Sequence, residues 1–402
     1  MNETLVFLLL FAAVACGWWL GRRSLSGTSS AASSPPSQYY QGLNYLLDGR
    51  PDGAVDQFIS ALEVNSETLE THIALGNVLR RRGEVDRAIR IHQNLLARPN
   101  LPRTQMHIAH LELARDYISA GLLDRAEKLL LDLMAESEEQ RDVSRQYLVE
   151  IYRSESEWER AIEEARALLP RRSLLRGETQ APQLSGQPMA VQLAHFYCES
   201  ALELAEEGKP DEARKQLQQA LRIDPACARA SLELGRFEGT AGNHRLAIDA
   251  LTRVVEQHVE FLPEAIPALR ECYAALGEEK ALSVYLRRCL DEHPSTPLMI
   301  AVADDIHRDE GHEAAHEFLA ERLAQAPSLR GLLRLIRMQQ EDTPGVSGDS
   351  LSMLSVLLHR LIEVRPAYRC DHCGFSARHL LWFCPGCKYW GTFRTIRTAE
   401  TE

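Results

Sequence analysis

A phrase of three small residues returns along this chain at a nearly constant spacing, and no other feature narrows its possible folds as far. Gly42, Gly49 and Ala54 come back as Gly76, Gly83 and Ala88, each displaced by 34 residues. Ala201, Gly208 and Ala213 come back as Gly235, Gly242 and Ala247 at the same displacement. The Ala series runs on through Ala281 and Ala315, and Ala126 and Ala161 fill the middle at intervals of 38 and 35, so eight repeats are expected. Each repeat then reads as a helix, a turn and a second helix. A small residue on the first helix and Ala on the second let the two axes approach, and the Gly between them supplies a left-handed turn. Acidic residues just past the turn (Asp52, Glu84, Asp86 and Asp211) are expected to cap the next helix and favour its dipole. One hairpin cannot cover its own apolar face, so the repeats must stack into a solenoid. Three turns depart from the pattern: Ser156 stands in for the Gly of the fourth repeat, and Gly277 and Gly311 fall one place late.

The best copy is Ala201-x6-Gly208-x4-Ala213-x3-Leu217-x2-Ala220-x4-Pro225, and it resembles the tetratricopeptide repeat family over roughly residues 38–330. That resemblance implies a concave face, built from the first helices, that holds a peptide or a partner's helix. The interval from Ala161 to Ala213 is eighteen residues too long, and residues 170–189, rich in Pro and Gly, are expected to absorb the excess as a surface loop. Residues 331–366 read as a degenerate helical cap. The formal charge of −12, from 45 basic and 57 acidic side chains, argues against a nucleic-acid binder that neutralises phosphates broadly.

The other end of the chain points to a membrane. Thr4 to Gly21 are eighteen uncharged, mostly apolar residues, ~27 Å of helix, which is close to the thickness of a bilayer core. Trp18 and Trp19 suit the interface, and Arg22-Arg23 follow at once while the opposite flank has no basic residue, which places the body on the cytoplasmic side. A cleaved secretory signal would carry its basic residues before the apolar stretch, the reverse of the order here. Val14-Ala15-Cys16-Gly17 supports the competing reading of an exported lipoprotein. Residues 22–37, Ser/Ala/Pro-rich, form a flexible tether between the anchor (1–21) and the body.

Little in the sequence suggests catalysis. His312-Glu313-Ala314-Ala315-His316 is literally H-E-x-x-H, the pattern of a zinc hydrolase. However, Ala315 is in phase with Ala281 and Ala247, so this segment already has a packing role as the second helix of a repeat. No phosphate loop, dinucleotide fingerprint or nucleophile elbow is present, and no catalytic residue is assigned. His195 and Cys198 lie within a first repeat helix and read as satisfied packing residues. Arg80-Arg81-Arg82 reads as a solvated basic cluster, with an acidic partner surface as the alternative.

Five of the nine cysteines are scattered, as suits a reducing compartment. The other four, Cys370, Cys373, Cys384 and Cys387, form two C-x2-C pairs ten residues apart within residues 367–402. Two residues between thiolates let one tight turn aim both sulfurs at a single ion, and Gly374 and Gly386 are expected to ease that backbone. Four thiolates close a tetrahedral site, so the ion's role is structural or electron-carrying, and about thirty residues need it for their folding energy. The pairs C-x-x-C-G and C-P-x-C resemble rubredoxin, which implies iron; zinc is the default for a short ribbon. His372 and His379 are the alternative ligands, and a four-cysteine redox protein is the alternative function.

Taken together, Gly17-Trp18-Trp19-Leu20-Gly21-Arg22-Arg23, the run Arg81 to Gln93, Ala194-His195-Phe196-Tyr197-Cys198-Glu199 and the terminal cysteines resemble the lipopolysaccharide assembly protein B family of Gram-negative bacteria. The resemblance implies a non-enzymatic inner-membrane adaptor. It would bring the deacetylase of the lipid A pathway to the membrane protease FtsH and gather other lipopolysaccharide assembly proteins. The expected class is therefore all-α: a transmembrane helix, a tetratricopeptide-repeat solenoid and a small rubredoxin-like or zinc-ribbon module holding one iron or zinc ion.

Overall fold

The structure, a computed structural model, describes residues 44–45, 69–98, 101–169, 183–184, 186–342 and 349–396. The expected anchor and tether, all of the first repeat but residues 44–45, and residues 170–182 and 185 of the expected loop lie outside the described residues. Among the described residues no helix is long and apolar enough to cross a membrane. The chain divides into two compact units, Met1–Arg141 and Asp142–Glu402.

In the first compact unit, the described residues from 69 on form four helices in succession: α1 (Leu69–Arg81), α2 (Val85–Leu96), α3 (Arg103–Ser119) and α4 (Leu123–Glu136). The repeat Ala residues Ala88 and Ala126 are fully buried, as close helix approach requires. Gly76 is needed because a Cβ there would lie 2.5 Å from the His92 ring. Arg80 is not part of a solvated cluster. Its guanidinium turns inward, donating to Asp116 at 2.7 Å and Glu112 at 2.8 Å, with side-chain exposure of only 10%. His92 shares a 2.5 Å hydrogen bond with the other Asp116 oxygen, and both residues are fully buried. A buried carboxylate needs such partners, so Arg80 is committed to the fold and only Arg81 and Arg82 remain exposed.

The second compact unit continues the hairpins: α5 (Arg141–Ser154), α6 (Trp158–Leu168), α7 (Met189–Glu206), α8 (Pro210–Ile223), α9 (Ala228–Thr240), α10 (His244–His258), α11 (Leu262–Leu276), α12 (Glu279–Glu292), α13 (Thr296–Asp309), α14 (His312–Gln325), α15 (Leu329–Asp342) and α16 (Asp349–Val364). Ala161, Ala213, Ala247 and Ala315 are fully buried between helices. Ser156 adopts the left-handed conformation of the glycine it replaces, with φ of 61°. The expected packing role of Ala281 is wrong: Ala281 is exposed and Leu282 is buried instead. The physical rule is distance from the turn. The buried position falls five residues after the left-handed residue at Gly83/Ala88, Ser156/Ala161 and Gly208/Ala213, and the late Gly277 moves it to Leu282; at the equally late Gly311 the spacing shortens to four instead, and Ala315 keeps the buried place. The expected acidic caps are also absent at Glu84 and Asp211, whose carboxylates accept from Arg87 at 2.7 Å and Arg214 at 2.8 Å.

The last described helix, α16, exposes apolar side chains among its polar ones (Ser352, His359, Arg360 and Glu363), whereas a solenoid cap ordinarily turns a polar face outward. Met353, Leu354, Val356, Leu357, Leu361 and Val364 are all at least 42% exposed. Beyond it, β3 (Tyr368–Cys370) lies between β4 (Ser376–Ala377) and β5 (Phe393–Thr395) in an antiparallel sheet with Tyr368 opposite both Ala377 and Thr395. A second pairing, β1 (Gln183–Leu184) with β2 (Gln187–Pro188), closes the end of the expected loop. This end is not a free surface loop, because Gln187 is buried and Met189 begins α7 fully buried.

Candidate metal centre and its seam with the helices

The two cysteine pairs fold into matching knuckles. The amide of Cys370 donates to the Phe375 carbonyl and that of Gly374 to the Cys370 carbonyl. The amide of Cys384 donates to the Tyr389 carbonyl and that of Lys388 to the Cys384 carbonyl. The left-handed residue sits at the same place in both, Gly374 with φ of 78° and Lys388 with φ of 63°. Gly386 therefore does not serve the turn as expected. A Cβ on it would stand 3.3 Å from the Cys373 sulfur, so it makes room beside the site.

All four sulfurs lie within 4.8 Å of one another. Cys370 and Cys387 are 3.7 Å apart and Cys373 and Cys384 3.5 Å apart, near the ~3.8 Å that a tetrahedral ion with ~2.3 Å bonds to sulfur demands. Burial raises the Cys370 thiol, but hydrogen bonds from the Thr392 hydroxyl and the Cys373 and His372 amides outweigh it and bring it to about 6. Burial and the neighbouring sulfurs push Cys387 up to about 12. Four thiolates this close repel one another unless a cation neutralises them, so the donor set fits a soft divalent ion. Among the described residues, no other group of three or more ligand side chains converges in this way. The His372 ring is stacked on Tyr389 at 4.0 Å and His379 is exposed, and neither joins the cluster.

The module does not stand apart from the helices. Trp390, 3% exposed, stacks on His195 of α7 with centroids 5.0 Å apart, and meets Phe196 at 6.1 Å and Trp158 at 6.4 Å edge-on. The Gln187 side chain pairs with the Trp390 backbone, donating to its carbonyl at 2.7 Å and accepting from its amide at 3.0 Å. Trp382 packs on Phe261 at 5.1 Å, and the buried Arg229 guanidinium lies 5.9 Å from both tryptophan rings. Arg229 is held in turn by Glu199 at 2.8 Å. Further along, the Tyr368 hydroxyl donates to Glu264 at 2.7 Å and Arg394 pairs with Glu260 at 2.7 Å. Gly391, with φ of 62°, passes so near His195 that a Cβ would lie 3.1 Å from its Nε2.

His195 is thus a packing residue, but it is not a satisfied one: its Nδ1 is buried without a hydrogen-bond partner. Burial, with Arg229 adding to it, holds its pKa well below 6.5 and keeps the ring neutral. Burial also pushes the Cys198 thiol well up, with Cys227 beside it, which makes it a poor nucleophile. In the H-E-x-x-H segment, His312 Nε2 contacts the Met338 carbonyl at 3.1 Å and Ala315 is buried, so the segment packs as a repeat helix. The seam residues Gln187, Arg229, Phe261 and Trp390 escape sequence reasoning. The available signals are the aromatic crowding of the module and the apolar run on α7, and neither names a partner.

Residues 368–395 match a rubredoxin metal binding domain, and residues 71–105 and 198–275 match tetratricopeptide repeats. Lipopolysaccharide assembly protein B of Escherichia coli K12 is 36% identical over 395 residues, 98% of each chain. The chain belongs to the lipopolysaccharide assembly protein B family. The Haemophilus influenzae protein of that name is 34% identical over 406 residues, covering 98% of this chain and 99% of its own. Among solved structures, a tetratricopeptide repeat protein from Parabacteroides merdae is 13% identical with a TM-score of 0.32, across 73% of this chain and 100% of that one. In this member of the lipopolysaccharide assembly protein B family, the module rests on α7, α9 and the start of α11, which are first helices of their repeats, and on Trp158 at the start of the second helix α6.

Proposed function

We propose that this chain is a membrane-tethered adaptor in lipopolysaccharide assembly. It presents the lipid A pathway deacetylase to an FtsH-type protease, and its output is a change in encounter rate. The observation that carries the reading is similarity over nearly the full length to proteins named for lipopolysaccharide assembly, on a body built from binding repeats. The environments of His195, Cys198 and His312 support it further, since each is absorbed in packing. Residues 1–21 act as a single-pass inner-membrane anchor with the body in the cytoplasm, and the tether sets the effective concentration of captured partner. Cys370, Cys373, Cys384 and Cys387 hold one iron or zinc ion that cross-links the two knuckles and makes the module rigid enough to dock. The test is the deacetylase lifetime in cells depleted of this chain. The lifetime is expected to lengthen and lipopolysaccharide to rise; an unchanged lifetime defeats the reading.

A further inference from the structure

A cavity of about 160 Å³ lies where the module meets the starts of three first helices, α11, α13 and α15, with Tyr368 of β3 closing one side. The metal centre and the aromatic seam do not use it. Its walls combine apolar atoms with hydrogen-bonding side chains, among them Ser295, Thr296 and Arg330. Both lining carboxylates are engaged, Glu260 by Arg394 and Glu264 by the Tyr368 hydroxyl, each at 2.7 Å. Thr296 is only 7% exposed and lines the cavity. The Nε of Arg330, another lining residue, is buried without a hydrogen-bond partner. Helix α13, fourteen residues long, begins at the cavity with no side-chain cap, whereas Ser328 accepts from the Gly331 amide at 3.1 Å and caps α15. The amides of Thr296 and Leu298, Pro297 between them having none, and the partial positive charge of α13 therefore face the same space as Arg330.

We infer that this cavity binds a phosphate monoester. The terminal oxygens match donors from two sides of the cavity: the Arg330 guanidinium on one, and on the other the start of α13 with the Ser295 and Thr296 hydroxyls and the first-turn amides. A single carboxylate would leave part of that set unmade, and a buried unmade donor is costly. The phosphate belongs either to a soluble metabolite or to a lipid headgroup. Because the cavity is walled by helices on one side and module strands on the other, occupancy ties the two together.

The experiment titrates the full-length, metal-loaded chain in detergent with inorganic phosphate, glycerol 3-phosphate and dioctanoyl phosphatidic acid, read by calorimetry and by the shift in thermal midpoint. Saturable phosphate binding is expected, weakened at least about tenfold by Arg330→Gln and measurably by Thr296→Val. Both variants are checked for unchanged helical circular dichroism. Tighter binding of phosphatidic acid than of glycerol 3-phosphate identifies a lipid source, and equal or weaker binding a soluble one. No saturable binding by the unaltered chain, or equal binding by folded Arg330→Gln, overturns the site.

Discussion

In the hairpins of residues 142–342 each apolar stripe is covered by the next hairpin, whereas the module of residues 367–396 covers its rings with helices that are not its own. Ala213 or Ala247 is buried by a neighbour one turn away in the chain; Trp390 is buried by His195 and Phe196, about half a chain earlier. The hairpins consequently draw stability from many small, equivalent contacts, and loss of one is local. The module draws it from two concentrated sources, the sulfur cluster and the Trp390 seam. It should therefore be separable from the helices, in a way that no single repeat is.

Removing the ion should break the comparison most visibly. Chelation, or Cys384→Ser, takes away binding energy on the order of 10 kcal/mol and should unravel the knuckles. Tryptophan emission should shift to the red while the helical signal at 222 nm holds. One equivalent of metal should be found before chelation and none afterwards. Helical signal falling in step with the emission would mean the two regions are one cooperative body.

Next in size, Trp390→Ala should cost about 3–5 kcal/mol of module stability, seen as a lower urea midpoint for the tryptophan transition and easier loss of metal. The helical transition should move far less. The repeat register gives a smaller, paired test. Leu282→Ala should lower the helical midpoint by about 2–4 kcal/mol, while Ala281→Arg should stay within about 0.5 kcal/mol. The reverse order would restore the expected register.

Acidity should produce the smallest effect. Because burial and Arg229 depress the His195 pKa in the folded chain, the unfolded chain takes up that proton first. The contribution is complete above about pH 6.5 and is lost as pH falls through the lower folded value. The urea midpoint of the module should therefore drop from pH 7.5 to 5.5, and drop less in His195→Phe. An identical slope in both proteins would remove His195 from the seam's energetics.

Much of this architecture is legible in the residues because its causes are local or periodic. Hairpins follow from small residues recurring at 34, and the cysteine cluster follows from two spacings of two. The illegible parts depend on distance or on one-residue shifts. Nothing near Gln187 announces that it will pair with the Trp390 backbone 203 residues on. Arg80 sits in a run of three arginines, yet it is internal because Glu112 and Asp116 lie on a later helix. Lys388 rather than Gly386 takes the left-handed turn, since the knuckle fixes that residue by its position after the cysteine.

On the proposed reading, this chain works by holding other proteins at a membrane. The direct measurement is the rate of deacetylase degradation by purified FtsH-type protease in liposomes, with the full chain or with a folded form lacking residues 1–21. Acceleration is expected from the full chain at nanomolar to micromolar concentration, and little from the truncated form at the same concentration. Equal rates with and without the full chain would contradict it.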